Sequence, residues 1–570
     1  GFGGTRTSTG RFGRKRRMAS SGEASPLWDR AGSGQGDSGA GPAPMGWLHR
    51  ATDAPPRYPT GSTREQRASI VERALLSNLE TWQVKRRLKE EMLRHGTTVE
   101  PRGTAQVSAL LEATGLDIRL KNLIYKAHRT ALLSPPAPPE GLSAAKCHTA
   151  DRLEFVERAK LKWEKRIRQE LDAMAAELGV PLQRVRKEEP PKHVPEDHAI
   201  RFVYDDNDLL DVLCNISNPN HAATAAKTPQ WGLIKVELQT LDLEQLREEL
   251  REMEPGVLHL GVGDDSSQQL VEERSKAFKS ALEVGYIPLL RQLTRRGVPQ
   301  AMRPQVYMKI MGVEVTDASV AYLEQLNASL KEYELVTDEL FRLDVTITGN
   351  DDDYFVFEEM LSDTMSTLSR DPWLSHSCAV LSQANDKPYP DAYSRQAVVF
   401  PPCGIVPFRG IVMYATPFCY LFSDPADVYF TFRSVYANYC CRLHTVSSGT
   451  GDILQLSRQF EVVLQETNPA LYFHLLEKGL PPLRIAFNWI VFGFAGYLEV
   501  DQILALWDRI LAWDSLLLLP VLAAAILSFR EERLLKCNTP EEMRHVLADA
   551  SKLKVVLLLQ LYLFPEIVPG

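Results

Sequence analysis

A stripe of apolar residues between Asp151 and Leu178 places the strongest constraint on how this chain folds. The stripe recurs at intervals of three, four and seven residues and consists of Val156, Trp163, Ile167, Leu171, Met174 and Leu178. This spacing puts all six side chains on one face of an α-helix. Gly179 and Pro181 follow directly and supply a stop signal. The pattern therefore predicts a long helix that packs against other elements through a Trp-bearing face.

The same kind of periodicity divides the chain into segments of different character. Residues 1–62 are rich in Gly, Ser, Pro, Ala and Arg, and such a segment buries too little apolar surface to offset its ordering entropy, so we predict a disordered tail. We predict an N-terminal helical region over 63–180, a linker with a small mixed α/β segment over 181–270, and a helical domain over 271–570. The predicted fold class is mainly all-α.

Two of these segments carry more detailed predictions. Within the N-terminal helical region, residues 105–130 form a second helical stretch that ends before a proline-rich linker. In the mixed segment, residues 231–238 and 258–262 are compatible with strands, and residues 243–253 between them predict a short helix. The mixed segment is thus the one place where strands are expected.

Charge and cysteine content exclude several classes of protein. The chain has 65 Lys and Arg against 73 Asp and Glu, a net charge of −8. Residues 1–17 hold six basic and no acidic residues, which leaves residues 18–570 at −14. A dedicated nucleic-acid-binding protein normally has a basic excess, so no nucleic-acid partner is expected. The eight cysteines include no C-x-x-C pair, which favours reduced thiols in a cytoplasmic protein without a metal site or cofactor.

Membrane and catalytic signatures are equally sparse. The most apolar runs are too short for a bilayer or are broken by proline, so we expect at most peripheral membrane association. Two basic stretches, Lys121–Arg129 and Lys160–Arg168, favour either a solvated helix face or contact with an acidic partner or membrane surface. The sequence has no phosphate-binding P-loop, zinc-protease motif, nucleophile elbow or kinase loop. The residues alone therefore do not indicate an enzyme.

Four segments in the C-terminal half follow one another in the order of a known helical domain. They are GVPQAMRPQVY at 297–307, PALYFHL at 469–475, Trp489 with Phe494, and LWDRIL at 506–511. Together they resemble the signature motifs of the TBC domain family, with Tyr307 where the first motif usually has Trp. The resemblance covers about residues 284–563, which we take as the core of a TBC domain.

Membership of this family implies an all-helical fold and a defined activity. TBC domains stimulate GTP hydrolysis by Rab GTPases, so the chain would be a GTPase activator rather than an enzyme in its own right. The implied partner is a Rab GTPase in its GTP form, with its own Mg²⁺ and GTP. In the family, an arginine supplied in trans stabilises the charge of the phosphoryl transition state, and a glutamine orients the attacking water.

This chain departs from the family at both of these positions. The arginine segment, I-x-x-D-x-x-R, reads FRLDVTI at 341–347, so that Asp344 matches and Ile347 occupies the arginine position. The glutamine segment, Y-x-Q-G, is best matched by PFRG at 407–410, which places Arg409 at the glutamine position. Since isoleucine has neither a donor nor a charge, Ile347 cannot stabilise the transition state.

Three interpretations follow from these substitutions. The domain is a pseudo-activator that keeps the fold and a Rab-binding surface without the chemistry, or Arg409 acts as a surrogate from the glutamine side, where a guanidinium has donors for phosphate oxygens. Alternatively, another arginine such as Arg342 takes the role. Arg409 also has a simpler interpretation, in which it pairs with an acid such as Asp344 or stays solvated.

The remaining candidates are binding residues. Arg303, one turn beyond Pro299 in the first motif, either pairs with an acid in the core or contacts a partner. Tyr307 and Asp344 are the other candidate partner-binding residues. A non-catalytic helical scaffold, which binds Rab or other partners without stimulating hydrolysis, is the alternative function.

Overall fold

The chain divides into two units, residues 1–54 and residues 55–570. The first unit, and with it the predicted disordered tail over 1–62, lies outside the residues that the structure describes. The computed structural model describes residues 72, 75–76, 78–94, 104–133, 153–186, 200–217, 231–263, 267–351, 353–378, 400–550 and 552–565.

The described parts of the N-terminal region are helical. The predicted stretch over 105–130 is two helices, because Gly115 takes a positive φ of 67° and breaks the ladder there. The long helix ends at Leu178, and Gly179 caps it in the left-handed conformation. The helices are α1 (Leu79–Arg94), α2 (Thr104–Ala113), α3 (Leu116–Leu133) and α4 (Glu154–Leu178).

In the rest of the described chain almost all regular secondary structure is helix, so the predicted mainly all-α class is confirmed. Its helices are α5 (Asp206–Asn215), α6 (Leu243–Glu249), α7 (Gln268–Val284), α8 (Ile287–Thr294), α9 (Arg303–Met311), α10 (Asp317–Glu332), α11 (Val336–Gly349), α12 (Glu358–Ser369), α13 (Pro372–Ser377), α14 (Thr416–Cys419), α15 (Pro425–Asn438), α16 (Ile453–Thr467), α17 (Pro469–Glu477), α18 (Pro482–Val491), α19 (Val500–Trp513), α20 (Leu518–Phe529), α21 (Glu531–Leu534), α22 (Pro540–Ala548) and α23 (Val555–Leu563).

The predicted strands over 231–238 and 258–262 are wrong. The backbone of 231–242 is irregular, with bends, and pairs with no strand among the described residues; the carboxylate of Glu461 accepts hydrogen bonds from the N–H groups of Leu233 and Ile234 at 2.5 and 3.2 Å. A side chain on α16 thus replaces the sheet partner that these donors would need. The predicted short helix between the two segments is present as α6.

The strands that the structure does contain lie elsewhere in the chain. β1 (Gln183–Val185) and β2 (Tyr333–Leu335) form a two-stranded antiparallel ribbon in which Gln183 lies opposite Leu335. The Nε of Arg184 donates to the Glu334 carboxylate at 2.6 Å and strengthens the pairing. Since α11 begins at the residue after β2, this ribbon ties the end of the α4 segment to the start of α11.

One apolar core runs through α4 and the C-terminal half. Buried residues from Val156 on α4 to Phe564 beyond α23 belong to a single contiguous cluster. A smaller cluster joins Leu171 and Met174 of α4 to Leu340 of α11. The predicted boundaries at 180 and 270 stay predictions, but the core is continuous across both. Among the residues described here, no helix combines the length and apolar character needed to cross a bilayer.

Candidate functional site

The segment that matches the family's arginine motif lies on α11. Asp344 is fully buried on the inner face of this helix, whereas Ile347, one turn later, keeps 40% of its surface exposed. Arg342 points outward and pairs with Glu339 of the same helix at 2.6 Å. The helix therefore turns the matching acid toward the core and the substituted position toward solvent.

Asp344 holds the second motif in place. Its Oδ1 accepts a hydrogen bond from the N–H of Gly410 at 2.7 Å, and its Oδ2 accepts one from the N–H of Val412 at 2.9 Å. Gly410 has a φ of 93°, and a Cβ at this position would lie 2.6 Å from the ring of Phe492. Only glycine fits this approach without a shift of the ring. The two segments that carry Ile347 and Arg409 are thus joined by one buried carboxylate.

The environment of Asp344 has opposing effects on its ionisation. Burial raises the pKa of the carboxyl to about 6, while the two N–H donors and the charge of Arg409 lower it. Burial is the larger effect, but at neutral pH the group remains mostly ionised. The loop is therefore held by charge-assisted hydrogen bonds.

Arg409 is exposed and its side chain is unpaired. Among the described residues, its guanidinium makes no hydrogen bond or ion pair, and only its backbone N–H is engaged, by the carbonyl of Tyr204 at 3.4 Å. The Arg409 guanidinium makes no hydrogen bond or ion pair with Asp344, although its charge is close enough to lower the pKa of that carboxyl. The guanidinium is free to contact solvent or a partner.

A packing layer that sequence reasoning missed supports the Arg409 loop from the N-terminal side. Tyr204 stacks on Phe408 with ring centroids 5.1 Å apart, and Trp163 of α4 meets Tyr204 edge-on at 5.2 Å. The Trp-bearing stripe predicted a packing face for α4 but not its target. Tyr204 lies in the segment predicted as a linker, where no periodic signal marks it.

Arg303 and Tyr307 meet the last motif inside the domain. The guanidinium of Arg303 donates to both oxygens of Asp508 at 3.1 to 3.2 Å, and the hydroxyl of Tyr307 donates to Asp508 Oδ1 at 2.9 Å. The N–H of Val298 also donates to Asp508, at 3.2 Å. Asp508 is fully buried and therefore joins the start of the domain to α19.

These contacts bear on the three predicted partner-binding residues. Tyr307 exposes 1% of its surface, Asp344 none, and the side chain of Arg303 only 12%. Of the two roles predicted for Arg303, the geometry favours the pair with a core acid. Trp489 and Trp507 of the later motifs are buried in the apolar core. All three candidates are engaged within the chain in this structure.

An exposed apolar surface lies against α11. The turn Phe355–Phe357 packs against α11 and exposes Phe355 and Val356 by 61% and 62%. The ring of Tyr420 contacts that of Phe357, with centroids 4.6 Å apart, and the Tyr420 hydroxyl donates a hydrogen bond to the backbone carbonyl of Asp353. Exposed apolar side chains grouped in this way are typical of interaction sites.

Replacement of Asp344 by alanine is expected to lower the free energy of unfolding by about 2 to 4 kcal/mol. The change removes two hydrogen bonds to a charged acceptor and leaves buried N–H donors unsatisfied. Urea denaturation of the variant measures the loss. Asp351→Ala is the matched control, because the Asp351 carboxylate makes one exposed contact, with the N–H of Asp353. An equal loss in both variants would contradict the role assigned to Asp344.

Among the residues that the structure describes, no group of three or more His, Cys, Asp or Glu side chains is arranged to hold a metal ion. The buried thiols lie in the core instead: Cys378, Cys403, Cys440 and Cys441 are each at most 1% exposed. Burial raises the pKa of Cys403 to about 12. A thiol with such a raised pKa is a poor nucleophile and a poor metal ligand at neutral pH.

Comparison with known proteins agrees with the motifs. The family model described as the Rab-GTPase-TBC domain, RabGAP-TBC, matches residues 406–535. The chain is 35% identical over 484 residues to the human protein TBC1 domain family member 19, an alignment that covers 81% of this chain and 90% of the relative.

Two solved structures are also similar. The Chlamydomonas flagellar RabGAP TBC domain has a TM-score of 0.38 at 14% identity, covering 57% of this chain and 97% of that one. The Ypt/Rab-GAP domain of Gyp1p has a TM-score of 0.37 at 14% identity, covering 51% and 96%. The identity to the human relative and its extent confirm the resemblance seen in the motifs: the chain belongs to the TBC domain family.

Proposed function

We propose that this chain binds a Rab GTPase in its GTP form and stimulates GTP hydrolysis weakly or not at all. The observation that carries the proposal is the contact of Asp344 with the Gly410 and Val412 N–H groups. This contact keeps the two catalytic segments of the family joined, while Ile347 and Arg409 stand where the arginine and glutamine belong. The framework of the site is retained and its chemistry is not.

The expected loss of rate follows from the transition state. In phosphoryl transfer, negative charge spreads over the phosphate oxygens, and an arginine supplied in trans accelerates the reaction by about 10³ to 10⁵. Ile347 presents only methyl and methylene groups to that charge. The partner GTPase would thus keep close to its intrinsic rate.

Arg409 is the candidate for any stimulation of GTP hydrolysis that remains. Its exposed guanidinium has no acidic partner among the described residues, so it can approach phosphate oxygens from the glutamine side. The GTPase's own glutamine would then position the water. Arg342 is less suited, because it lies five residues before Ile347, about 140° around the helix, and pairs with Glu339.

The cellular setting is part of the same proposal. A protein that distinguishes the GTP form of a Rab acts in the cytoplasm and regulates vesicle trafficking. Because only a difference in affinity couples binding to nucleotide state, the chain must bind the GTP form more tightly than the GDP form.

Single-turnover GTP hydrolysis by a panel of purified Rabs, with and without the full chain, tests the proposal. We expect a rise of less than about tenfold for every Rab, together with GTP-dependent capture of at least one of them. A rise of about 10³ or more would contradict the loss of chemistry, and Arg409→Ala would then identify or dismiss the surrogate. Equal capture of both nucleotide forms, or none, would favour the scaffold alternative.

A further inference from the structure

Helix α1 has apolar residues on two opposite faces, only one of which packs on the protein. Val84 is 3% exposed and lies on the inner side, where α1 contacts α3. Leu79, Trp82 and Leu93 are 73%, 59% and 74% exposed. A surface helix normally has one apolar stripe, which packs on the core, so the exposed apolar residues on the opposite side indicate a further binding function.

The exposed residues form one continuous surface. At 100° per residue, Leu79, Trp82 and Leu93 fall within about 80° of arc, and Val84 lies about 180° from the centre of that arc. Arg86 and Lys89 fall within the same arc. We call these five positions the outer face of α1.

Positive charge surrounds this outer face. Lys85 lies over the ring of Trp82 at 5.3 Å, and together with Arg87 and Lys89 it is exposed. None of these three basic side chains has an acidic partner among the described residues. Arg86 pairs with Glu90 at 3.7 Å, but both side chains are more than half exposed, so that pair contributes little.

The charge of this region has the opposite sign to that of the whole chain. Residues 79–133 contain ten basic and six acidic residues, a net charge of +4, whereas the chain as a whole carries −8. An acidic protein thus places a basic helix with exposed Trp and Leu at its periphery. Helices that lie in the plane of a membrane interface typically combine exposed Trp and Leu side chains with neighbouring Lys and Arg.

We propose that the outer face of α1 binds an anionic lipid surface. Trp82 and the two leucines enter the boundary between headgroups and acyl chains, where an indole ring is favoured. Lys89 on this face, and Lys85 and Arg87 on its two flanks, contact lipid phosphates and carboxylates through their long side chains. The inner face stays packed on α3, whose Asn122 side chain binds the backbone of Gly285 and Ile287, so the helix holds the folded protein against the bilayer.

Co-sedimentation of the full chain with vesicles tests this assignment. One set of vesicles is phosphatidylcholine alone and the other contains about 30% phosphatidylserine. We expect binding to the anionic vesicles that weakens as salt is raised, because screening shortens the reach of the lipid charge. Binding to the neutral vesicles is expected to be at least about tenfold weaker.

Two variants separate the apolar and the charged contributions. The triple variant Leu79→Gln, Trp82→Gln, Leu93→Gln and the triple variant Lys85→Gln, Arg87→Gln, Lys89→Gln are each expected to reduce binding by about tenfold or more. The matched control is Leu258→Gln, which changes a residue that is 70% exposed in a loop outside α1. It is expected to bind like the unchanged chain.

Thermal unfolding of each variant checks that the fold is intact, which is expected because all six side chains face solvent. The proposal is overturned if the full chain does not bind anionic vesicles. It is equally overturned if either triple variant binds as well as the control, since the basic tail at residues 1–17 or another surface would then be responsible. Rab binding is measured separately and does not depend on this result.

Discussion

The double variant Ile347→Arg, Arg409→Gln is expected to accelerate GTP hydrolysis by the Rab partner about 10³-fold or more over the unchanged chain. That gain corresponds to about 4 kcal/mol of barrier. It is expected because Asp344 already holds the Gly410 loop against α11. Ile347 has 40% of its surface exposed, so position 347 has room for the longer side chain of an arginine.

Matched variants at position 347 test what the new side chain must supply. Ile347→Leu is expected to remain inactive, because it changes shape without adding a donor, and Ile347→Lys to gain less than Ile347→Arg, because an ammonium lacks the planar fork of a guanidinium. Single-turnover hydrolysis measures each variant on a Rab that the chain captures. If the double variant binds that Rab but does not accelerate hydrolysis, the retained framework is not competent and the proposed alignment of the two segments fails.

The second large effect is expected on stability. Replacement of Asp508 by alanine should lower the free energy of unfolding by about 3 to 5 kcal/mol, because Arg303 would lose its carboxylate partner in a buried site. Tyr307 would lose its acceptor as well. Arg509, fully buried on the same helix, has its pKa lowered to about 10 by burial and would lose the nearest negative charge.

Urea denaturation or thermal unfolding measures this loss. Glu532→Ala is the control, because its ion pair with Lys536 is exposed to solvent and is expected to contribute little to stability. Asp508→Asn keeps the shape of the side chain and one acceptor oxygen, so its loss in free energy of unfolding should lie between those of Asp508→Ala and Glu532→Ala. It also provides a measurement if the alanine variant does not fold. A loss for Asp508→Ala no greater than that for Glu532→Ala would refute the structural role of this cluster.

The helical parts of the fold were predictable because their signal is local. The stripe on α4 and the stop at Gly179 lie within one element, and the structure ends that helix at the same place. The ribbon of β1 and β2 was not predictable, since each strand has three residues and the partners Arg184 and Glu334 are 150 positions apart. Short strands with distant partners leave no periodic pattern in the sequence.

The candidate site was predictable only in part for a similar reason. Motif spacing located Ile347 and Arg409, but it did not say that Asp344 would bind the backbone of the second segment. It also left open whether Arg303 faces a partner or the core. Both answers depend on long-range contacts, 66 residues apart for Asp344 with Gly410 and 205 for Arg303 with Asp508.

The functional group that a side chain presents depends only on the residue type, so the sequence is enough to establish it. That is why an isoleucine at 347 and an arginine at 409 could be read as a loss of the family's usual donors. The burial of a side chain and its hydrogen-bond partners depend on residues that are distant in the sequence, so they are decided only when the chain packs. Packing turned Asp344, Tyr307 and Arg303 inward and left Arg409 exposed and unpaired among the described residues, because buried polar groups must find partners and surface groups need none.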